Sequence, residues 1–342
     1  MSRFTTVNTK IRVLESRLLT DQDFDSLINM NSVTEVAAYL KYNTHYDNIL
    51  NHIDEKEIHR GQLEGYIKKD RAEEIRKITY YFKDGYKKFF QFVFMKLEIE
   101  DLKKILRIIK TGNISDPDKE SLINIGLYCK VDKEVLLNVK TVSEFIKVLR
   151  YTLYYKYLKP FEADMDNKTS FMGEMVLDLA YFEIFFHAFQ KLDLHDKRLM
   201  YRLQGNITDL LNVQWIYRGL KYYSFSRELL FNYTIPRGYR LNIKEIRKLC
   251  YCENIYVFKD ELSKYKYDFL FEEEDIYMER RYLRYIYKKV KRLKSVHGMD
   301  ISEAIAFDML LDFEIRDIIT VIEGIRYGLS PEQTKRFLIR EL

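Results

Sequence analysis

Apolar and polar positions along the chain alternate with the period of an amphipathic α-helix. In the segment 33–40, apolar side chains recur at Val33, Val36, Ala37 and Leu40, which places them on one helical face. The segment 102–109 has the same spacing, with leucine or isoleucine at its first, fourth, fifth and eighth positions. The pattern therefore predicts helices that each bury one face.

A ten-residue motif occurs three times, in segments that begin at Glu98, Asp209 and Glu314. Each copy reads acid, apolar, any, Asp or Asn, apolar, any, any, Ile or Val, large apolar, charged. We interpret its polar positions as a repeated packing and capping solution, and a shared ligand site is the alternative. The predicted signature residues are Glu98, Asp101, Arg107, Asp209, Asn212, Arg218, Glu314 and Asp317.

A second pattern precedes each copy of the motif. It occupies residues 27–42 and 136–151, and a diverged third copy occupies residues 249–267. Ser32 or Thr34 with Glu35, and Thr141 or Ser143 with Glu144, are typical of capped helix starts, because a hydroxyl accepts a hydrogen bond from a free backbone N–H. The two patterns recur in the same order, which predicts three similar helical units of about 110 residues. Their predicted bounds are 1–115, 116–225 and 226–342.

Turn-forming residues indicate where helices end. The clearest break is the segment 111–118, and the segment 233–239 is the second. Ser330 followed by Pro331 indicates a helix start, because proline is favoured at the first helical position.

Composition agrees with an all-helical chain. The 342 residues include only 12 Gly and 4 Pro, too few for a β protein built on tight turns, while 32% are charged and 47% hydrophobic. A net charge of +5 is not a nucleic-acid signature. Three cysteines fit a reducing compartment. Since no apolar run reaches about 18 residues and the N-terminus lacks an apolar signal core, we expect a soluble, cytoplasmic protein.

Motifs for catalysis, cofactors and metals are absent from the sequence. It contains neither Gly-x-x-x-x-Gly-Lys nor Gly-x-Gly-x-x-Gly, and neither His-Glu-x-x-His nor paired Cys-x-x-Cys. His45, His52 and His59 lie seven residues apart, which is about 10.5 Å along a helix and too far for two imidazoles to share an ion. We therefore predict solvated or capping histidines, no catalytic residue, no cofactor and no metal.

Two further groups of reactive side chains have simple interpretations. Cys250 and Cys252 are two residues apart, so they point to different sides of a helix, and we predict buried, inert thiols. His187 and His195 lie near Glu183, Asp193 and Asp196, which leaves an acid/base pair as an alternative, but no serine or cysteine beside them has the context of a nucleophile.

The most basic segment of the chain is 280–294. Leu283, Ile286, Val290 and Leu293 supply its apolar stripe, which indicates an amphipathic helix with a basic face. Such a face is either simply solvated or docks to an acidic protein surface or anionic headgroups, and RNA binding is a third interpretation. The candidate docking residues are Arg280, Arg281, Arg284, Lys288, Lys289 and Arg292.

These patterns together resemble the C-subunit family of V/A-type ATPases, whose eukaryotic counterpart is the d subunit. Residues 10–20, Lys-Ile-Arg-Val-Leu-Glu-Ser-Arg-Leu-Leu-Thr, are similar to the family's first-helix signature. The motif copies at Glu98 and Asp209 resemble its acid-x-x-Asn-Leu-x-x-Ile-x-Arg helix, and residues 312–327 its C-terminal segment. Asp101 and Asp317 depart from the family's Asn, and Glu323 departs from its Arg.

The resemblance implies an all-helical rotor subunit with three similar domains around a pseudo-threefold axis that form a funnel. The mouth would receive the D and F subunits of the central stalk, and the base would rest on the proteolipid rotor ring at the cytoplasmic face of the membrane. The implied function is a non-catalytic socket that transmits torque between ATP turnover and proton or sodium transport. The alternative is an unrelated helical-repeat scaffold that binds a protein or nucleic-acid partner.

Overall fold

The protein is built of helices. The computed structural model describes residues 4–112, 122–163, 170–223, 225–272, 274–296 and 300–342. Every regular element in these ranges is helical and none is a strand, which confirms the all-α class. The α-helices are α1 (Thr5–Glu15), α2 (Asp21–Ile28), α3 (Val33–Asn43), α4 (Asp47–Leu50), α5 (Arg60–Thr79), α6 (Asp84–Thr111), α7 (Lys133–Leu137), α8 (Val142–Val148), α9 (Tyr155–Leu158), α10 (Ser170–Phe189), α11 (Leu194–Lys221), α12 (Arg227–Asn232), α13 (Ile243–Cys250), α14 (Ile255–Ser263), α15 (Met278–Val296), α16 (Ser302–Arg326) and α17 (Pro331–Phe337). Short 3₁₀ turns span Leu149–Tyr151, Lys159–Phe161, Asp268–Phe271 and Asp275–Tyr277.

The predicted helix starts are confirmed. The hydroxyls of Ser32 and Thr141 each accept a hydrogen bond of 3.1 Å from the backbone N–H three residues later, at the starts of α3 and α8. In the diverged copy, Asn254 caps α14 by the same geometry at 3.0 Å. Ser330 caps α17 at 3.2 Å, and Pro331 is the first residue of that helix. Capping side chains therefore set where these helices begin.

The predicted breaks fall at helix ends. Helix α6 ends at Thr111, and Gly112 adopts a φ of +73°, a conformation that glycine reaches without steric strain. The rest of that break, residues 113–118, lies outside the described residues, together with the predicted boundary at 115/116. The second break, 233–239, lies in the loop between α12 and α13.

The described residues divide into two compact units. Unit 1 comprises those within Met1–Asp101, Asn113–Tyr128 and Tyr287–Leu342, and unit 2 those within Leu102–Gly112 and Cys129–Ile286. In unit 1, α16 packs against α5, α1 and α2, whereas unit 2 packs α9 on α10 and α11 on α13 and α14. The division into three units of about 110 residues stays a prediction.

A buried ion pair joins α5 to α16 within unit 1. Arg71 on α5 is buried, and its Nη2 donates to Oδ1 of Asp308 at 2.9 Å while Nη1 donates to Asp312. Burial opposes ionisation of Asp312, but Arg316 and Arg71 overcome it and hold the pKa of this carboxyl well below its usual range. A charged guanidinium is thus a fixed part of this helix contact.

None of the helices in the described ranges combines the length and the apolar character that are needed to cross a membrane.

We expect the substitution Arg71→Met to destabilise the protein by about 3–5 kcal/mol, because it removes the buried counter-charge of Asp308 and leaves Asp312 with only the more exposed cations Arg316 and Lys96. Urea unfolding followed by circular dichroism measures the change. The control Lys69→Met removes an exposed cation from the same helix and should have little effect. Equal midpoints for the two variants would contradict a structural role for this ion pair.

Candidate functional site

The three copies of the ten-residue motif lie on three long helices, α6, α11 and α16. Positions one and four of each copy are polar, and all six side chains are at most 1% exposed. Buried polar groups require hydrogen-bond partners, so these positions decide what packs beside each helix. We call each pair a polar anchor: Glu98 with Asp101, Asp209 with Asn212, and Glu314 with Asp317.

Position four of every anchor binds the backbone of a later segment. Oδ2 of Asp101 accepts from the N–H of Asn124 at 2.7 Å, 23 residues further on. Oδ1 of Asn212 accepts from the N–H of Ile235 at 2.8 Å, again 23 residues further on. Oδ1 of Asp317 accepts from the N–H of a residue 22 positions later, at 2.6 Å. One contact therefore recurs on all three helices.

Position four differs between Asn212 and Asp317 in the hydrogen-bonding groups that it meets. The amide Nδ2 of Asn212 also donates to the carbonyl of Ile235 at 2.8 Å, so the residue pairs with both polar groups of one peptide. Asp317 meets donors only, namely two backbone N–H groups and Nε of Arg340 at 3.2 Å. A carboxylate only accepts hydrogen bonds, which suits the donors around Asp317, whereas an amide both donates and accepts, which suits the N–H and the carbonyl of Ile235 beside Asn212.

Position one binds the next stretch of chain. Oε2 of Glu98 accepts from the N–H of Tyr128 at 2.9 Å, and Oδ2 of Asp209 from that of Arg240 at 2.7 Å. Glycine at 238 is required for the second contact, because a Cβ there would lie 1.8 Å from Oδ1 of Asp209. Oε2 of Glu314 accepts from the N–H of Leu19 at 2.6 Å. The last anchor thus holds the N-terminal segment in place of a downstream one.

A buried tyrosine completes two of these contacts. The hydroxyl of Tyr267 donates to Oδ2 of Asp209 at 2.7 Å, and that of Tyr46 donates to Oε1 of Glu314 at 3.0 Å. Both tyrosines are fully buried. Tyr154, three residues beyond the copy of the second pattern at 136–151, is also fully buried.

Arg340 ties the two chain ends together in unit 1. Besides its bond to Asp317, Nη1 donates to the carbonyl of Leu19 at 3.2 Å. The guanidinium lies 3.5 Å from the ring centroid of Phe24, within cation–π range. The C-terminal segment, the residues before α2 and helix α16 are therefore linked by one side chain.

Position ten of the motif forms an ion pair on each helix. Arg107 binds both carboxylate oxygens of Glu174, at 2.8 and 2.9 Å. Arg218 binds Glu279 at 3.1 Å. In the third copy the charges are exchanged, because Glu323 pairs with Arg60 at 2.5 Å. The partners Glu174, Glu279 and Arg60 lie near the starts of α10, α15 and α5.

Burial shifts the ionisation of the anchors. It raises the pKa of Glu314 to about 7 and the pKa of Asp209 to about 6, although the hydrogen bonds that each accepts act in the opposite direction. Beside Glu314, burial raises the pKa of Asp70 to about 7 and lowers the pKa of His45. Nε2 of His45 lies 3.7 Å from oxygens of both Asp70 and Glu314. Glu314, Asp70 and His45 therefore lie close together in the protein interior, and the two carboxyl groups titrate near neutral pH.

The side-chain oxygens of the anchors are engaged in hydrogen bonds within the protein. Their oxygens accept from backbone N–H groups and tyrosine hydroxyls, so this geometry joins helices to loops and presents no reactive atom to solvent. The contacts support our interpretation of positions one and four as packing positions.

The other candidate residues are scattered. The ring of His45 is mostly buried and its Nδ1 lies 2.9 Å from the carbonyl oxygen of Arg17, whereas His52 and His59 are exposed. His187 and His195 are exposed on α10 and α11. The predicted burial of Cys250 and Cys252 is confirmed; burial raises the pKa of the Cys250 thiol to about 12, which keeps it unreactive.

The basic segment forms helix α15. Ile286 and Val290 are buried as the pattern predicts, but Arg281 is also only 8% exposed. Its guanidinium donates to the backbone carbonyls of Leu270 and Glu274, which precede the helix. Arg281 therefore holds the chain that leads into α15, a role that its charge concealed in the sequence pattern.

The remaining basic side chains of α15 lie nearer the surface. Lys288, Lys291 and Arg292 are exposed. Nζ of Lys288 forms an exposed ion pair with Glu341 at 2.7 Å. Arg280, Arg284 and Lys289 are half-buried, and the side chain of residue 294 lies outside the described residues.

Several residues that complete the anchors have no sequence signal of their own. Tyr46, Arg340 and Arg60 lie 268, 23 and more than 200 residues from the groups that they bind. The threefold motif identifies the acids, but only co-variation of charge between Glu323 and Arg60 could have identified a partner.

Comparison with known proteins gives a consistent result. The sequence profile of the ATP synthase (C/AC39) subunit family matches residues 7–337. The chain is 23% identical to the C subunit of the A-type ATP synthase of Methanocaldococcus jannaschii, over 97% of this chain and 85% of the relative. It is 24% identical to that of Thermococcus kodakarensis, over 97% and 89%, and 23% identical to that of Archaeoglobus fulgidus, over 96% and 94%.

Substituting Asp for Asn212 and Asn for Asp317 tests whether the partners of position four determine which residue is tolerated there. We expect Asn212→Asp to cost about 2–4 kcal/mol, because a buried carboxylate oxygen would face the carbonyl of Ile235. We expect Asp317→Asn to be destabilising too, because an amide NH₂ would face backbone donors or Arg340. Urea unfolding of both variants is the measurement. Wild-type stability of either variant would contradict the assignment of donors around Asp317 and of a donor and an acceptor beside Asn212.

The raised pKa of Glu314 predicts a pH dependence of stability. Its pKa rises from 4.5 in the unfolded chain to about 7 in the folded protein. The folded state therefore retains a proton that the unfolded chain releases, so this contribution is complete below pH 4.5 and is lost as the pH rises through 7. It amounts to about 3 kcal/mol.

The substitution Glu314→Gln mimics the protonated form and should remove this loss. Between pH 5 and 8 its free energy of unfolding should fall less than that of the wild-type protein. Glu332→Gln, an exposed position on α17, is the control and should leave the profile unchanged. Parallel profiles of the wild-type protein and Glu314→Gln would contradict the shift.

Proposed function

This chain belongs to the ATP synthase (C/AC39) subunit family and is part of an A/V-type ATPase, and we propose that it is the non-catalytic rotor socket of that complex. It would link the D and F subunits of the central stalk to the proteolipid rotor ring at the cytoplasmic face of the membrane. In that position it transmits torque between ATP turnover and proton or sodium transport.

The observation that carries this proposal is the match of the family profile to residues 7–337, nearly the whole chain. The curated relatives, each named as the C subunit of an A-type ATP synthase, also align over 96–97% of this chain in the three comparisons given above. The likeness therefore extends over nearly the full length of such a protein.

The polar anchors support a role in force transmission. A part that passes torque must resist bending, and a close-packed interior transmits strain. Helices α6, α11 and α16 span 28, 28 and 25 residues, and each is bonded to following loops through fully buried groups. Loops that are hydrogen-bonded to a long helix at two points have less freedom to move independently.

Recurrence of the anchors also supports the three-unit division at 1–115, 116–225 and 226–342. Each motif copy has a downstream backbone contact at position four, a backbone contact at position one and an ion pair at position ten, although position one of the third copy binds the N-terminal segment. We retain this division, and a pseudo-threefold funnel, as part of the proposal.

The basic face of α15 is the proposed docking surface for the ring or the stalk. Its exposed cations Lys288 and Arg292 lie four residues apart on one side of the helix, where they can meet an acidic partner. Arg281 is excluded from the test because its buried guanidinium supports the fold.

The test uses the full chain with the purified D–F stalk and the detergent-solubilised ring. We expect the wild-type chain to bind both, and Lys288→Glu with Arg292→Glu to weaken binding to one of them by about tenfold or more. The control is Lys244→Glu with Lys248→Glu, which reverses two exposed charges four residues apart on α13.

Failure of the wild-type chain to bind either partner would overturn the socket role. Wild-type affinity of the Lys288/Arg292 variant for both partners would overturn the assignment of the docking surface alone.

A further inference from the structure

A cavity of about 380 Å³ lies beside the turn that joins α5 to α6 in unit 1. This volume is within the range of small-molecule sites, about 300–1,000 Å³. It is lined by Arg76, Thr79, Tyr80, Lys87, Gln91, Phe94, Leu127 and Tyr128.

Packed groups hold the chain that flanks this cavity. In the turn, Phe82 stacks on Phe90 at 4.3 Å and meets Phe4 edge-on at 6.3 Å. Among the lining residues, Tyr128 is held by its backbone N–H, which donates to the anchor residue Glu98 at 2.9 Å. The turn and Tyr128 are therefore fixed by contacts of the fold itself.

The α5–α6 turn and the lining of the cavity carry a net positive charge. Residues 76–94 include five lysines or arginines and one acid, Asp84. Lys77 is paired with Glu74 at 2.6 Å. Within the described part of the chain, no carboxylate lies within 4.0 Å of the four other cations, Arg76, Lys83, Lys87 and Lys88. Two of these, Arg76 and Lys87, line the cavity, and none of its lining residues is acidic.

Aromatic side chains project from the same turn. Tyr80 is 82% exposed and Tyr81 41% exposed, and their rings meet edge-on at 5.9 Å. Arg76 lies over the ring of Phe94 at 6.0 Å. Tyrosine rings are amphipathic and are enriched at the boundary between water and lipid.

We propose that the α5–α6 turn binds an anionic phospholipid at the membrane surface, with the headgroup phosphate in the cavity between Arg76 and Lys87. Lys83 and Lys88 add attraction to neighbouring headgroups, and Tyr80 and Tyr81 lie at the interface. Cations without acidic partners, exposed tyrosines and a cavity of headgroup size occur together here, which favours a lipid surface over an acidic protein. The site needs neither stalk nor ring and is independent of the proposed socket role.

Vesicle binding by the full chain tests this site. We expect partition onto vesicles of phosphatidylglycerol and phosphatidylcholine, and little onto phosphatidylcholine alone. Arg76→Gln with Lys87→Gln should weaken partition by about 30-fold, since each cation near an anionic surface contributes about fivefold. Both side chains are exposed, so the variant should fold, and circular dichroism checks this.

The matched control is Lys244→Gln with Lys248→Gln, which removes the same charge from exposed positions on α13 and should retain wild-type partition. An equal loss in both variants would overturn the proposal in favour of general electrostatics. Equal partition onto both vesicle types, or onto neither, would also overturn it. Glycerol 1-phosphate in solution should bind more weakly than the vesicles; equally tight binding would show that a free phosphate is the ligand and not a lipid.

Discussion

A carboxylate that is buried on a helix must be met by donors, and this requirement organises the protein. The helix cannot supply them, because its own N–H groups are already bonded within it. Glu98, Asp209 and Glu314 obtain them from backbone N–H groups of loops that lie far away in sequence or at the other chain end. These hydrogen bonds fix the position of each bound loop relative to its helix.

The ionisation of the anchors follows from the same requirement. Burial opposes a negative charge on Glu314, while the hydrogen bonds from Leu19 and Tyr46 favour it, and the balance leaves its pKa near neutrality. Asp312, which faces two guanidinium groups, remains ionised at the same depth. The number of counter-charges also matters: two guanidinium groups outweigh desolvation at Asp312, whereas Arg340 alone does not at Asp317, whose pKa remains raised.

Much of the fold is predictable from the sequence, and less of the site. The apolar period predicts the helices, and Ser32, Thr141 and Ser330 predict where three of them begin, because capping is a local interaction. The motif likewise locates the anchor acids. Their partners depend on tertiary packing, which local periodicity does not contain, so Arg340 and Tyr46 are found only in the structure. The charge of Arg281 predicts a surface position, but two backbone carbonyls satisfy its guanidinium in a buried one.

The exchanged charges of Glu323 and Arg60 have a consequence for how this chain avoids misfolding. Three similar long helices create a risk that one docks where another belongs. A mistaken exchange would set Arg107 or Arg218 against Arg60, or Glu323 against Glu174, and like charges at such short range repel each other. Correct docking places opposite charges together at all three sites. The reversed pair therefore disfavours docking of α6 or α11 against Arg60, and of α16 against Glu174 or Glu279, relative to the observed arrangement.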